Sequence, residues 1–328
     1  MRLLRHLEQP AGDCAGGVVT IGNFDGFHRG HQQVLARAAE KADALAAPLV
    51  VLTMEPHPRA FFRPEEAPFR LTPLRAKAGH FTEYGIDCLY VLPFDGTVAA
   101  KSAEDFVREV LNGGLKARHV VVGYDYRFGK GRGGSADTLR RMGKTEGFGV
   151  TVVGAVSTAG GVYSSTRIRQ HLRQGEPRQA AELLGHWWRL EGRVIAGEKR
   201  GRLIGFPTAN IPIDGYLHPA LGVYAVRVSV ETTGEESAAT VHDGVANIGT
   251  RPTFDDGAVV IEAHLLDDTG DLYGRHISVE LVDFLRPEVT FSGLDALKEQ
   301  IGKDCETARR ALSDPANARQ RFAPPRRP

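Results

Sequence analysis

Hydrophobic periodicity changes character once along this 328-residue chain, and that change limits its possible folds more than any other feature. Up to about Gly185, short apolar runs alternate with helical patterns. Val18 opens one strand, and Leu49–Met54, Cys88–Leu92, His119–Gly123 and Val150–Val156 read as others. Helices are expected from about Gly30, over Pro73–Tyr84, from Ser102 and from Ser135. That β-α-β-α order predicts a doubly wound parallel α/β sheet, with ligands beyond the carboxyl ends of its strands. From Gly185-His186 onward the runs have period two and no helices between them: Trp188–Ile195, Val223–Val230, Val259–Leu266 and Ile277–Phe284. Consecutive strands of this kind predict an antiparallel β-barrel. An amphipathic helix over Leu294–Leu312, with Leu297, Ile301 and Ala308 on one side, follows it, and the Pro- and Arg-rich tail from Arg321 is expected to fray. The length exceeds one comfortable core, so two domains are expected, at 1–185 and 186–328.

The sharpest local signal is the strand-to-helix break Gly22-Asn23-Phe24-Asp25-Gly26-Phe27-His28-Arg29-Gly30-His31. Such a turn presents backbone N–H groups and the positive end of a helix dipole, which suits phosphate. Gly30 is expected to leave room for a ligand to approach the backbone. His28 and His31 also have a spacing found in metal sites, but no Cys or carboxylate completes a ligand set nearby. A Pro-rich stretch with Pro56, Pro58, Pro64, Pro68 and Pro73 contains His57 and Phe61-Phe62 and reads as a functional flap. Gly129, Gly131 and Gly134 form a formal GxGxxG, but they come too far after the strand for a dinucleotide loop, and no Gly-Lys-Ser/Thr makes a P-loop.

The 22–31 string resembles the HxGH signature of the nucleotidyltransferase superfamily, in the form used by flavin adenylyltransferases. Gly123-Tyr-Asp125-Tyr-Arg127-Phe128-Gly resembles that family's GxDxRFG motif, and Tyr163-Ser164-Ser165-Thr166-Arg-Ile-Arg169 its SSTxIR motif. The resemblance implies that His28 and His31 stabilise charge on the nucleotide phosphates, without a covalent intermediate. It implies ATP binding by Gly22, Phe24, Asp25, Gly26, His28, His31, Ser164, Ser165, Thr166 and Arg169. FMN binding would fall to Asn23, His57, Asp125, Arg127 and Phe128.

In the second half, Gly192 to Asn210 is rich in glycine and arginine, which suits a phosphate loop, and Thr208 and Asn210 offer oxygens suited to Mg²⁺. The string closely resembles the GxxxGRxLGFPTAN signature of riboflavin kinases. Gly222-Val-Tyr-Ala-Val226, Ala246–Phe254, Ile261–Asp267 and Phe284–Glu288 match further segments in the same order. The implied ATP-binding residues are Gly197, Gly201, Arg202, Gly205, Pro207, Thr208 and Asn210, with Thr208 and Asn210 on the metal. Riboflavin binding would involve Glu262, Arg286 and Glu288, and Glu262 would be the general base. Asp268 stands where that family has an aromatic residue.

Together the matches resemble the prokaryotic bifunctional riboflavin kinases/FAD synthetases. The resemblance implies phosphorylation of riboflavin to FMN, then adenylylation of FMN to FAD, with Mg²⁺ and ATP at both steps. Three alternatives are a nucleotidyltransferase for another phosphate, such as phosphopantetheine, a chain in which one domain has lost its activity, and a non-enzymatic flavin-binding or RNA-binding regulator. A net charge of +1 predicts no nucleic-acid or membrane partner. No apolar run reaches membrane-spanning length, and the start lacks a signal-peptide core. Cys14, Cys88 and Cys305 are odd in number and far apart, so neither a disulfide framework nor a zinc cluster is expected. A cytoplasmic monomer or weak homo-oligomer is the expectation.

Overall fold

Strands buried on both faces are apolar throughout, not alternating, and the first half of the chain supplies them. The computed structural model describes residues 1–5, 14–158, 161–197, 201, 204–231, 240–250, 259–267 and 270–319. They fall into two compact units. Unit 1 holds 1–66 and 74–164, and unit 2 holds 67–73 and 165–319.

Unit 1 runs β1 (Arg2–Leu4), β2 (Val18–Ile21), α1 (Arg29–Ala44), β3 (Leu49–Glu55), α2 (Pro58–Phe62), α3 (Leu74–Glu83), β4 (Cys88–Pro93) and α4 (Gly96–Ala100). There follow α5 (Ala103–Asp105), which continues as a π-helix over Phe106–Gly114, β5 (His119–Gly123), α6 (Ala136–Glu146), β6 (Gly149–Val153) and the small pair β7 (Ser157–Thr158) and β8 (Gly161–Val162). The main sheet has the order β1-β4-β3-β2-β5-β6, with every pairing parallel. Successive strand residues divide between two cores. Val19, Ile21, Val50, Leu52, Val120 and Val122 meet Phe106, Leu139 and Met142 on one face. Val18, Leu49, Val51, Leu89 and Val121 meet Leu35, Ala38 and Phe81 on the other. Helices therefore cover both faces, as the alternation predicts. The chain steps outward from β2 through β3 to β4 and then returns beside β2 with β5. The order thus reverses between β2 and β5, where ligands bind in open α/β sheets.

Unit 2 begins with α7 (Ser165–Arg173) and α8 (Pro177–Leu184), separated at Gly175 as the Gly-Glu-Pro break predicts. Then come β9 (Arg189–Arg193), β10 (Ala209–Pro212), β11 (Gly222–Val230), β12 (Thr240–Thr250), β13 (Val259–Leu265), β14 (His276–Arg286) and α9 (Leu294–Ser313). The antiparallel order is β10-β13-β12-β11-β14-β9, and a bridge between Ile195 and Asn210 brings the two edges together into a nearly closed barrel. The apolar side of α9, through Cys305, Ala308 and Leu312, packs on Val223, Ala225, Val245 and Val282. Trp188 is fully buried and donates its indole N–H to the Leu71 carbonyl at 2.8 Å, which ties the 67–73 segment into this unit.

Several expectations need correction. β12 and β10 are strands that periodicity does not announce. In β12, His242, Asp243, Gly244, Asn247 and Gly249 interrupt the apolar pattern, and pairing with β11 and β13 on both sides holds the segment extended. Cys14 and Cys88, 74 residues apart, form a disulfide with a Cα–Cα distance of 6.1 Å, against the expectation of none. Sheet order, which spacing does not reveal, brings them into the same core. The Pro-rich stretch contains the short helix α2, and the rings of Phe61 and Phe62 are exposed and lie against Phe94. Residues 251–254 of one matched segment, Asp268 and the tail from Arg321 lie outside the described residues.

Candidate active sites

In unit 1 the first motif occupies the turn from β2 into α1. Gly26 has φ of 87°, and Phe24 and Phe27 take left-handed values of 48° and 47°. Non-glycine residues rarely adopt that conformation, and here core packing holds it. The Phe27 ring is fully buried, edge-on to Phe81 and Tyr84. Phe24 is also buried and stands edge-on to His31 at 5.2 Å. Gly22 fits closely against the Phe24 ring, since a Cβ there would lie 3.2 Å from it. The Phe24 side chain thus supports His31 from within the core. Asp25 is buried beside it in sequence.

His28 is the N-cap of α1. Its Nδ1 accepts the His31 backbone N–H at 3.3 Å, and the two imidazoles stack with centroids 3.6 Å apart. A ring that accepts at Nδ1 carries its proton on Nε2 when neutral, so capping fixes the tautomer. Gly30 does not leave the expected room for a ligand. A Cβ there would meet the His28 ring at 3.1 Å and the Tyr163 Cβ at 3.5 Å, so the space is filled by the ring that caps the helix. His31 Nδ1 is buried and has no partner among the described residues. Burial first, then His28 and Lys77, push the His31 pKa well below the ordinary imidazole range. Lys77 was not legible as a site residue. It sits on the apolar face of α3 between Leu74 and Phe81, buried, with Nζ 3.4 Å from Thr53 Oγ1. A lysine at an apolar position is the signal that could have revealed it.

The remaining unit 1 residues reach the same sheet edge. Asn23 lies in the β2–α1 turn, and His57 caps α2 just past β3, its Nδ1 accepting from Arg59 N at 3.1 Å. Beyond β5, across the reversal in strand order, Asp125 and Arg127 are exposed, whereas the Phe128 ring is buried against Tyr126 and Phe106. Gly129 and Gly134 have packing roles, since a Cβ at Gly129 would lie 2.7 Å from Ala103 N and one at Gly134 2.7 Å from the Phe128 ring. Of the third motif, Ser164 ends unit 1, while Ser165, Thr166 and Arg169 open unit 2 on α7. Arg169 donates from Nε to the Phe69 carbonyl at 2.8 Å, with its guanidinium 5.5 Å from the Phe69 ring centroid.

In unit 2 a single register row carries the site. Asn210 on β10 faces Glu262 on β13, which faces Asn247 on β12; that pairs with Val223 on β11, and Val223 with Arg286 on β14. Directly opposed residues share a face, and all five line one cavity of about 300 Å³. A neighbouring cavity of about 490 Å³ is lined by Gly205, Pro207, Leu272, Tyr273 and others; Thr208, Asn210 and His264 line both. The glycines of the loop pack tightly. A Cβ on Gly201 would lie 2.3 Å from the Phe206 carbonyl oxygen, and one on Gly197 2.6 Å from Asn210 Nδ2. Gly205, with φ of 90°, makes the turn before Pro207. Arg202 lies outside the described residues. Asn210 is buried, and its Oδ1 has no partner among the described residues. A buried amide oxygen facing a cavity, beside a threonine hydroxyl, suits a hard cation that keeps its other ligands as water and phosphate.

Arg286 is held by a residue that sequence reasoning missed. Its Nε and Nη2 fork onto Asp304 of α9 at 2.7 to 3.1 Å, and Gln300 donates to the same carboxylate at 2.9 Å. Asp304 is buried on the apolar side of α9, and a charged residue on such a stripe is again the available signal. Glu288 accepts from Asn247 Nδ2 at 3.1 Å.

Comparison with known proteins adds an independent line. The family model for FAD synthetase matches residues 12–167, and that for riboflavin kinase matches 184–312. A bifunctional riboflavin kinase/FMN adenylyltransferase from Escherichia coli K12 is 43% identical over 92% of this chain and 95% of that protein. One of the same description from Bacillus subtilis is 37% identical over 92% of this chain and 94% of its own length. A crystal structure from Streptococcus pneumoniae, described as a macrolide-efflux protein, superposes with a TM-score of 0.81 at 30% identity, covering 94% of this chain and 98% of that one. Among the described residues of the present chain, no helix is long and apolar enough to cross a membrane.

Proposed function

The chain belongs to the family of bifunctional riboflavin kinase/FMN adenylyltransferases, and on that premise we propose how its residues divide the two reactions. The FAD synthetase region is N-terminal and the riboflavin kinase region C-terminal. The proposed boundary between them is at 185/186.

The observation that carries the kinase assignment is the register row. It sets Glu262 between Asn210 and Asn247 on neighbouring strands, facing a cavity that adjoins a second one. Riboflavin occupies the cavity walled by Glu262, Arg286 and Glu288, and ATP the one beside it, which Gly205 and Pro207 line; the ATP-binding roles of Gly197, Gly201 and Arg202 rest on their motif. Glu262 takes the proton of the riboflavin 5′-hydroxyl as that oxygen bonds to the γ-phosphorus. The bond to the β-phosphate oxygen breaks, and ADP leaves. Thr208 and Asn210 would hold Mg²⁺, which would neutralise charge on the ATP phosphates. Asn210 Oδ1, which has no partner among the described residues, supports that role.

In unit 1, an FMN phosphate oxygen bonds to the α-phosphorus of ATP, and pyrophosphate leaves. His28 offers its Nε2 proton to the phosphates, and His31, kept neutral by burial, is positioned beside it. Gly22, Phe24, Asp25 and Gly26 shape the turn that receives ATP. Asn23, His57, Asp125, Arg127 and Phe128 form the FMN side. The phosphate role of Ser164, Ser165, Thr166 and Arg169 rests on their motif. No nucleophilic side chain is needed, because positioning and electrostatics supply the rate. The enzyme acts on small molecules as a cytoplasmic monomer or weak homo-oligomer, with no nucleic acid or membrane partner.

A chromatographic time course with riboflavin, ATP and Mg²⁺ tests the assignment. His28→Ala with His31→Ala should stop FAD formation and leave FMN formation intact. Glu262→Ala should stop FMN formation yet still convert added FMN to FAD. Loss of both activities in either variant would refute separable sites.

A further inference from the structure

Three residues line both of the adjoining cavities described above: Thr208, Asn210 and His264. The first two have roles in the kinase reading above, and His264 has none. We propose that His264 is a positioning residue for the kinase step, which latches the metal-holding segment Thr208–Asn210 to the strand that carries Glu262.

The geometry supports a latch. Glu262 and His264 are two apart on β13 and so point to the same face. That strand is paired on both sides, with β10 and with β12, and is a rigid base. His264 Nδ1 lies 2.9 Å from the Pro207 carbonyl oxygen. A carbonyl only accepts, so Nδ1 carries the proton and donates. Its acceptor belongs to the residue immediately before Thr208. The imidazole also stands edge-on to Phe206, with centroids 5.3 Å apart. One side chain thus meets Phe206 and Pro207 in succession, just before the ladder between β10 and β13 begins at Ala209. Proline has no N–H, so at that position the backbone cannot extend the ladder as a donor. A side-chain donor to its carbonyl takes over the task of fixing the chain. The consequence is a fixed spacing between Glu262, which accepts the hydroxyl proton, and the Asn210 and Thr208 oxygens. Small misplacements of such groups are costly to catalysis.

This inference rests on the reading of Thr208 and Asn210 as metal holders, and the test separates the two. The full chain is prepared with His264→Ala, His264→Asn, His264→Gln and, separately, Asn210→Ala. Asparagine places an amide N–H near the position of Nδ1, whereas glutamine places its own nearer Nε2. Two quantities are read: the Mg²⁺ concentration for half-maximal FMN formation, and amide hydrogen exchange over residues 204–211 without metal or nucleotide. His264→Ala and His264→Gln should raise the Mg²⁺ requirement by about 10- to 100-fold, as loss of a group that orients a metal ligand does, and should speed exchange at Thr208 and Asn210. His264→Asn should restore both, and adenylylation of added FMN should be unchanged throughout. Unaltered exchange in His264→Ala, or an equal defect in His264→Asn, would overturn the latch. An unchanged Mg²⁺ requirement in Asn210→Ala would instead overturn the metal reading, while the exchange result would still decide the latch.

Discussion

Asp304→Ala should loosen the barrel from its terminal helix, and the size of the effect follows from the fork it breaks. The Asp304 side chain is 7% exposed and that of Arg286 19%. The carboxylate accepts from Arg286 Nε and Nη2 and from Gln300. Removing one partner of a buried pair costs about 3–5 kcal/mol, because the other charge is left poorly solvated. Arg286 keeps its bond to the Pro287 carbonyl at 3.1 Å and some access to water, which favours the lower end, about 3 kcal/mol. Asp304→Asn keeps the shape and one acceptor but loses the charge, so about 1.5 kcal/mol is expected. For a urea slope of about 2 kcal/mol/M, the midpoints fall by about 1.5 M and about 0.7 M respectively. The chain carries its own reporter. Its two tryptophans, Trp187 and Trp188, are both buried in unit 2, so indole fluorescence follows that unit alone. Adenylylation of added FMN should be unaffected in dilute buffer. A midpoint for Asp304→Ala within about 0.3 M of the parent would refute the claim that the fork holds α9 to the barrel.

Two further outcomes follow from unit 1 and the kinase loop. His31 has a folded pKa well below the unfolded value of about 6.5. Below that pH the unfolded chain binds a proton that the folded chain does not, so stability falls as pH drops from about 6.5 toward the folded pKa. His31→Gln should flatten this slope for unit 1, as read by calorimetry between neutral and mildly acidic pH; an unchanged slope would contradict the burial account. Gly201→Ala would place a Cβ 2.3 Å from the Phe206 carbonyl oxygen, so it should displace the loop and abolish FMN formation while sparing FAD formation from FMN. Normal kinase turnover in that variant would show that the loop accommodates the methyl group.

What could be read from the sequence depended on how local each determinant is. The β2–α1 turn was legible because its strand, its glycines and its helix face lie in one stretch. The barrel was legible wherever strands such as β11 and β13 keep their apolar residues together. β12 was not, since its polar and glycine residues hold an extended form only through two neighbours. The Cys14–Cys88 bond depends on strand order, and strand order is a property of the whole sheet. Gly30 shows the same limit at a smaller scale. Its type suggested open space, but only the rotamer of His28 determines what fills that space. Lys77, Asp304 and His264 escaped notice because each acts through a partner distant in sequence.

The row Asn210–Glu262–Asn247–Val223–Arg286 has a consequence for how this barrel can change over time. Its members are held abreast by ladder register, with each strand contributing one side chain, and a shift of one residue in any strand turns that strand's contribution to the opposite face. Substitutions along the row alter one group at a time. A single-residue deletion in β13 ahead of Glu262 that shifts the rest of the strand would turn Glu262 and His264 out of the cavity together, whereas a two-residue deletion there would restore the parity with other residues in their places. Insertions and deletions should therefore be excluded from these strands far more strictly than substitutions, and the kinase chemistry is inherited as an alignment of strands as much as a set of residues.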